Sequence, residues 1–282
     1  MNFNINQQIL IIMKDYVKEN ESILEQWQKE YVLRGKDVYF TPDGIMFRGP
    51  LYFDGKNWRH EIGGNENELW SNAPLRILFL TKDQNGGEDH SDYWDVRGDA
   101  YHHPESKAEE NRLYSRSAFN NNIVKILYGI VTATPQSMVN YQDIDEKDAV
   151  IVSDTFPYAR INCKKETGGP QCPDDILLPA MREFSSFLEK QIANFDADIF
   201  ICCGSSKNGN KILDFLNDYG YNFKYINDDS YSIYYDDVKN KIAIDSWHLS
   251  NHYKERQTIY EDVVVPYYKF LQAHPDFIKS HR

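Results

Sequence analysis

Apolar positions change their spacing near residue 74, and the change separates two kinds of structure. Before it, Ile9, Ile12, Met13, Tyr16, Val17, Leu24, Trp27 and Tyr31 recur at near-helical intervals, which predicts one helix over residues 9–31 interrupted near Asn20. The stretch DVYFTPDGIMFRGPLYFDGKNW then mixes short aromatic runs with Asp-Gly turns, which predicts a β-hairpin. After Pro74 the pattern becomes an alternation. The runs LRILFL (75–80), DAVIVS (148–153) and DIFICC (198–203) predict buried strands, separated by helices near 117–130, 174–193 and 206–218. Stripes such as Phe119, Ile123, Leu127, Ile130 and Leu177, Met181, Phe184, Leu188 mark the buried helix faces. Further strands are expected at YNFKYI, SYSIYY and KIAIDS, then a last helix after His248 that Pro266 bends or ends.

Strand and helix alternating, with strands apolar throughout, imply an α/β fold with a mostly parallel central sheet covered on both faces, a three-layer α/β/α sandwich. The expected organisation is an N-terminal helical and hairpin extension over residues 1–73 packed on one core domain over 74–282. In such sheets ligands sit beyond the carboxyl ends of the strands. That rule selects three segments: TKDQNGGEDHSDYWD, DTFPYARINCKKETGG and WHLSNH.

Composition narrows the function classes. With 41% hydrophobic and 26% charged residues over 282 positions, the chain is long enough for a sizeable core and reads as an ordinary globular protein. No window reaches the roughly 18 apolar residues of a membrane span, and the opening MNFNINQQIL lacks a signal peptide's basic start, so a cytoplasmic location without membrane contact is expected. Cys163, Cys172, Cys202 and Cys203 form no CxxC, and neighbours in a strand point to opposite faces, so they read as buried thiols. The net charge of −12 weighs against tight nonspecific duplex binding, although Lys164, Lys165, Lys207 and Lys211 are placed where a local basic groove could form. Taken alone, Lys164 and Lys165 are expected to be solvated.

Four landmarks in order carry a resemblance. LTKDQNGG follows the first core strand, VSDTFPYA ends the second, FICCGSSKNGNKIL joins a strand to a helix, and WHLSN ends the last strand. Together they resemble the uracil-DNA glycosylase superfamily over roughly residues 74–255, with Asp83 at the Asp of GQDP, Asp154 at a strand-end Asn, and His248 and Ser250 at the His and Ser of HPS. The chain departs from the pattern at Thr81 for a Gly, Gln84 and Leu249 for Pro, and His252 where the family's wedge is often Leu. The last departure puts duplex base flipping by the usual wedge in doubt. The superfamily's iron–sulfur branch needs an N-terminal CxxC that is missing here, so no cofactor is expected and no metal.

The resemblance implies DNA as partner and hydrolysis of the N-glycosidic bond of uracil or a modified pyrimidine. That chemistry needs a carboxylate, Asp83, to orient water and favour the cationic sugar, and a donor, His248, for the departing base. Tyr93 or Trp94 would stack on the extruded base, with Trp94 preferred because YWDVRG is similar to a family stretch. An ionised Asp154 offers only acceptors, which suits an exocyclic amine and a cytosine derivative; Asn162 is the alternative reader. Gly204 and Ser205, with Ser250, are the expected phosphate contacts. Two other readings stand beside this one. Glu88, Asp89, His90, Asp92, His102 and His103 could hold a metal for a hydrolase, and the acidic charge with the altered motifs fits a silent nucleotide- or partner-binding protein of the same fold.

Overall fold

The computed structural model describes residues 14–36, 39–46, 51–53, 58–60, 64–85, 95–98, 118–169, 171–226 and 232–278, with backbone alone at 51–53, 58–60, 98 and 154. Its centre is four parallel strands, β4 (Ile77–Thr81), β5 (Tyr158–Asn162), β6 (Ile199–Cys203) and β11 (Lys241–Ser246), so apolar because helices cover both faces. Antiparallel edge strands complete the seven-stranded order β1-β5-β4-β6-β11-β10-β9, with β1 (Gly44–Ile45) beside β5, and β10 (Ile233–Asp236) and β9 (Lys224–Tyr225) beyond β11. In chain order the sheet grows from β4 outward to β5 and then back past β4 to β6. Neighbouring connections therefore diverge above the carboxyl ends of β4 and β6, the switch point where open α/β sheets take their ligands.

The pleat sorts the two cores. Phe79, Tyr158, Ile201 and Ile244 face α3 (Ala118–Thr132) and α8 (Arg256–Ala273), whereas Leu80, Ile161, Phe200 and Ala243 face α1 (Tyr16–Leu33), α6 (Ser185–Phe195) and α7 (Lys211–Asp218). Among the described residues, no helix is long and apolar enough to cross a membrane.

Residues 148–153 are helix, not strand. They belong to α4 (Glu146–Thr155), where Asp145 caps the amides of Lys147 and Asp148 at 2.8 and 3.1 Å and Glu146 and Asp148 favour the positive helix start. Ala149 and Ser153, four apart, are buried while Ile151 between them is 57% exposed, so the helical period prevails over a short apolar run that fits either form. Before Pro157 the backbone of Phe156 turns extended (φ −89°, ψ 124°), and the strand begins just after it, at Tyr158.

Other boundaries shift for local reasons. The helix expected over 174–193 is two, α5 (Asp174–Glu183) and α6, parted at Phe184, whose ring stacks 4.2 Å from that of Tyr31. The helix expected from 206 starts at Lys211, after a tight pairing of β7 (Ser205–Ser206) with β8 (Gly209–Asn210). Pro266 lies inside α8, which runs on to Ala273. α1 passes through Asn20 unbroken, because that side chain is spent on the core, donating to the carbonyl of Asp43 at 2.7 Å. Ahead of α2 (Glu66–Asn72), β2 (Leu51–Phe53) and β3 (Trp58–His60) form the expected antiparallel pair, and β1 makes the N-terminal segment part of the main sheet.

Candidate functional site

Thr81 and Asn162 are register partners at the ends of β4 and β5, so their side chains lie side by side, both fully buried, beneath the carboxyl edge of the sheet. The Thr81 hydroxyl lies 2.6 Å from Asn162 Oδ1, and Arg160 Nη2 approaches the same oxygen at 3.4 Å. Asn162 is fully buried, and its Nδ2 has no hydrogen-bond partner among the described residues. Arg160, two residues earlier on the same face, donates to Gln84 Oε1 at 2.8 Å and lies 4.3 Å over the ring of Phe119 at the start of α3.

Behind Asn162 stands an ion pair with no solvent exposure on either side. Lys165 Nζ donates to Asp43 Oδ1 at 2.7 Å and to the carbonyl of Asn162 at 2.9 Å, while Asp43 Oδ2 accepts the Asn162 amide N–H at 2.7 Å. Gln191 Nε2 adds a bond of 2.7 Å to Asp43 Oδ1. Both peptide groups of the strand-end asparagine are thus held by one buried pair, the acid coming from the N-terminal segment. Burial pulls the Lys165 ammonium down against the support of Asp43. The expectation that Lys164 and Lys165 are solvated is overturned, because each has a carboxylate partner inside the protein.

Lys164 pairs with Asp83. Its Nζ lies 3.2 Å from Asp83 Oδ2 and donates to the carbonyl of Glu166 at 2.8 Å, with only 7% and 8% exposure of the two side chains. Burial pushes the Asp83 carboxyl up, against the pull of Lys164. Gly168 covers the pair: a Cβ there would stand 2.1 Å from Asp83 Oδ2, so only a bare backbone fits. Lys82 reaches the carbonyl of Cys172 at 3.2 Å and Asp174 Oδ1 at 3.4 Å. Lys82, Lys164 and Arg160 gather at this edge, the two lysines beside the carboxylates of Asp174 and Asp83.

His248 arrives from the third side, just past β11. Its ring lies 5.7 Å from that of Phe119, and Nδ1 is 3.3 Å from the Ser250 amide and 2.9 Å from the Ser250 hydroxyl. An amide can only donate, so Nδ1 is the acceptor and a neutral ring carries its proton on Nε2. Burial pulls the imidazole down to about 4, aided by the positive charges of Lys82 and Arg160, so the ring is neutral at pH 7. Asn122 Nδ2 holds the following turn through the carbonyl of Leu249 at 2.7 Å.

Asp83, Asn162, His248 and Ser250 are therefore brought to one edge of the sheet. Asp154 is not at a strand end: its backbone lies in the last turn of α4. Gly204 packs under α7, where a Cβ would come within 2.9 Å of Ile212 Cδ1, and Ser205 Oγ lies 3.4 Å from the carboxylate of Asp245. The helix start expected to hold phosphate there is filled by Asn210, whose Oδ1 caps the amides of Ile212 and Leu213 at 3.1 and 3.3 Å. Tyr93, Trp94, Glu88, Asp89, His90, Asp92, His102 and His103 lie outside the described residues. Among the described residues, no group of three or more His, Cys, Asp or Glu is arranged to hold a metal ion. Sequence reasoning missed Arg160, Phe119, Gln84 and Asp43; the one signal was an arginine in the middle of the otherwise apolar YARI. Neither the family models nor the curated proteins compared with this chain give a match.

Proposed function

We propose that the protein is a DNA glycosylase-like enzyme that hydrolyses the N-glycosidic bond of uracil or a related pyrimidine in DNA. The observation that supports this most is the convergence of a carboxylate, an amide and a neutral imidazole from three parallel strands on one sheet edge. Asn162 takes the base-reading role in place of Asp154. Its Oδ1 is engaged by Thr81 and Arg160, which leaves Nδ2 as donor. A donor matches a carbonyl such as O4 of uracil and clashes with the exocyclic amine of cytosine, so the preferred base is a keto pyrimidine.

Asp83 orients the attacking water and favours the cationic sugar. His248, neutral with its proton on Nε2, donates a hydrogen bond to the base oxygen as negative charge gathers there. Lys82 and Arg160 supply positive field for a phosphodiester.

A second reading, a silent binder of the same fold, is favoured by one observation: Asp83 is already paired with Lys164, which competes with a water for its carboxylate. Alkaline cleavage of single- and double-stranded oligonucleotides carrying uracil, cytosine or bulky modified cytosines separates the two. Strand breaks at uracil that vanish in Asp83→Asn and His248→Ala support the enzyme; binding without breaks on every substrate supports the binder.

A further inference from the structure

We infer that Thr81, together with Arg160, sets base specificity at this edge by holding the amide of Asn162 in one orientation. The inference rests on the reading of Asn162 as the residue that meets the base. A primary amide has two nearly isosteric ends of opposite hydrogen-bonding sense, so by itself it discriminates poorly between a carbonyl and an amine. Discrimination requires that one end be occupied.

Two groups converge on Asn162 Oδ1: the Thr81 hydroxyl at 2.6 Å and Arg160 Nη2 at 3.4 Å. A guanidinium cannot accept, so Arg160 sets the sense of the amide; but at 3.4 Å it is a weak restraint, and Thr81 makes the short bond. The hydroxyl has one proton and two acceptors near it, Asn162 Oδ1 at 2.6 Å and the carbonyl of Ile161 at 3.2 Å; the guanidinium, a donor only, keeps Oδ1 turned this way, and the proton on the shorter contact holds it there. Both Thr81 and Asn162 are fully buried, and no water competes for the bond. The backbone of Asn162 cannot shift to relieve a changed side chain, because Asp43 and Lys165 hold its N–H and carbonyl. Only rotation of the amide remains free, and Arg160 and Thr81 restrain it together. A glycine at position 81 would leave that rotation to the longer Arg160 contact alone.

The test uses the full chain, with Thr81→Val removing the hydroxyl at nearly constant volume and Thr81→Ser keeping it. Binding and excision are measured on two single-stranded oligonucleotides that differ by one uracil or cytosine. The ratio of uracil to cytosine is expected to fall about tenfold or more in Thr81→Val, the loss of one well-oriented base contact, and to hold in Thr81→Ser. A ratio unchanged in Thr81→Val overturns the role of Thr81 while leaving the glycosylase reading intact. If the wild type neither binds nor cuts either oligonucleotide, the proposed function fails instead. The side-chain amide resonance of Asn162, assigned by its loss in Asn162→Asp, then decides the orientation alone. A shift and broadening in Thr81→Val but not in Thr81→Ser supports the inference, and an unmoved resonance rejects it.

Discussion

Gly168 lies against the carboxylate of Asp83 so closely that a Cβ would stand 2.1 Å from Oδ2 and 3.3 Å from Lys164 Nζ. Gly168→Ala must therefore push both charged groups aside. It is expected to cost about 1–3 kcal/mol of stability, read from the urea midpoint, and to lower any Asp83-dependent excision. An alanine variant as stable and active as the parent would show that the carboxylate is not fixed at this place.

Breaking the Asp43–Lys165 pair from one side leaves a charge stranded in the core. Lys165→Met and Asp43→Leu are each expected to destabilise by about 3–5 kcal/mol, and the two together by less than the sum, because the double change removes both charges. Additive losses in a double-mutant cycle would mean that the two side chains act independently.

His248 is pulled down from 6.5 to about 4, and the sign of its effect on stability follows. Above pH 6.5 the ring is neutral folded and unfolded, so it adds no pH dependence. As pH falls from 6.5 towards 4 the unfolded chain takes up a proton that the folded one refuses, and stability drops by about 1–3 kcal/mol before levelling off below 4. A ¹H–¹⁵N titration of the ring, with the neutral form protonated on Nε2, gives the midpoint directly. One near 6.5 would contradict the half-buried, positively flanked placement.

If Asn162 and not Asp154 faces the base, the two positions respond oppositely to substitution. Asn162→Ala is expected to lower excision of uracil about 100-fold, from the loss of one positioned donor, and Asp154→Asn to leave rate and base preference within about twofold, since the Asp154 backbone lies in the last turn of α4. Alkaline cleavage of a uracil oligonucleotide by each variant tests this. A changed preference in Asp154→Asn would return the reading role to the end of α4.

The sequence made β4 and β6 legible because residues 77–80 and 199–203 are apolar throughout and each run follows a charged residue, Arg76 and Asp198. β5 was missed because its own residues hide it. Arg160 and Asn162 interrupt the apolar run, and DAVIVS, nearby, imitates a buried strand better than the strand does. The tell was electrostatic: Asp145, Glu146 and Asp148 at the start of that run are helix-start residues, not strand residues. The placement of His248 at the carboxyl edge was legible because it stands two residues after the strand KIAIDS. Arg160, Phe119 and Asp43 join the site only through contacts between distant segments, such as Lys165 with Asp43 across 122 positions, and no local pattern carries those. The expected solvation of Lys164 and Lys165 failed for the same reason.

The separation of 122 positions from Asp43 to Lys165 also sets an order of events in synthesis. At roughly 5–20 residues added per second, the acid waits roughly 6–24 s for the lysine that neutralises it. Throughout that interval Asp43 is better off in water than in a core, so the segment carrying it has reason to stay undocked. Asn162, whose backbone both groups hold, is made just before the lysine. The edge that would read a base thus cannot set before residue 165 is made, and a ribosome paused short of it would carry an unpaired acid and no rigid reader.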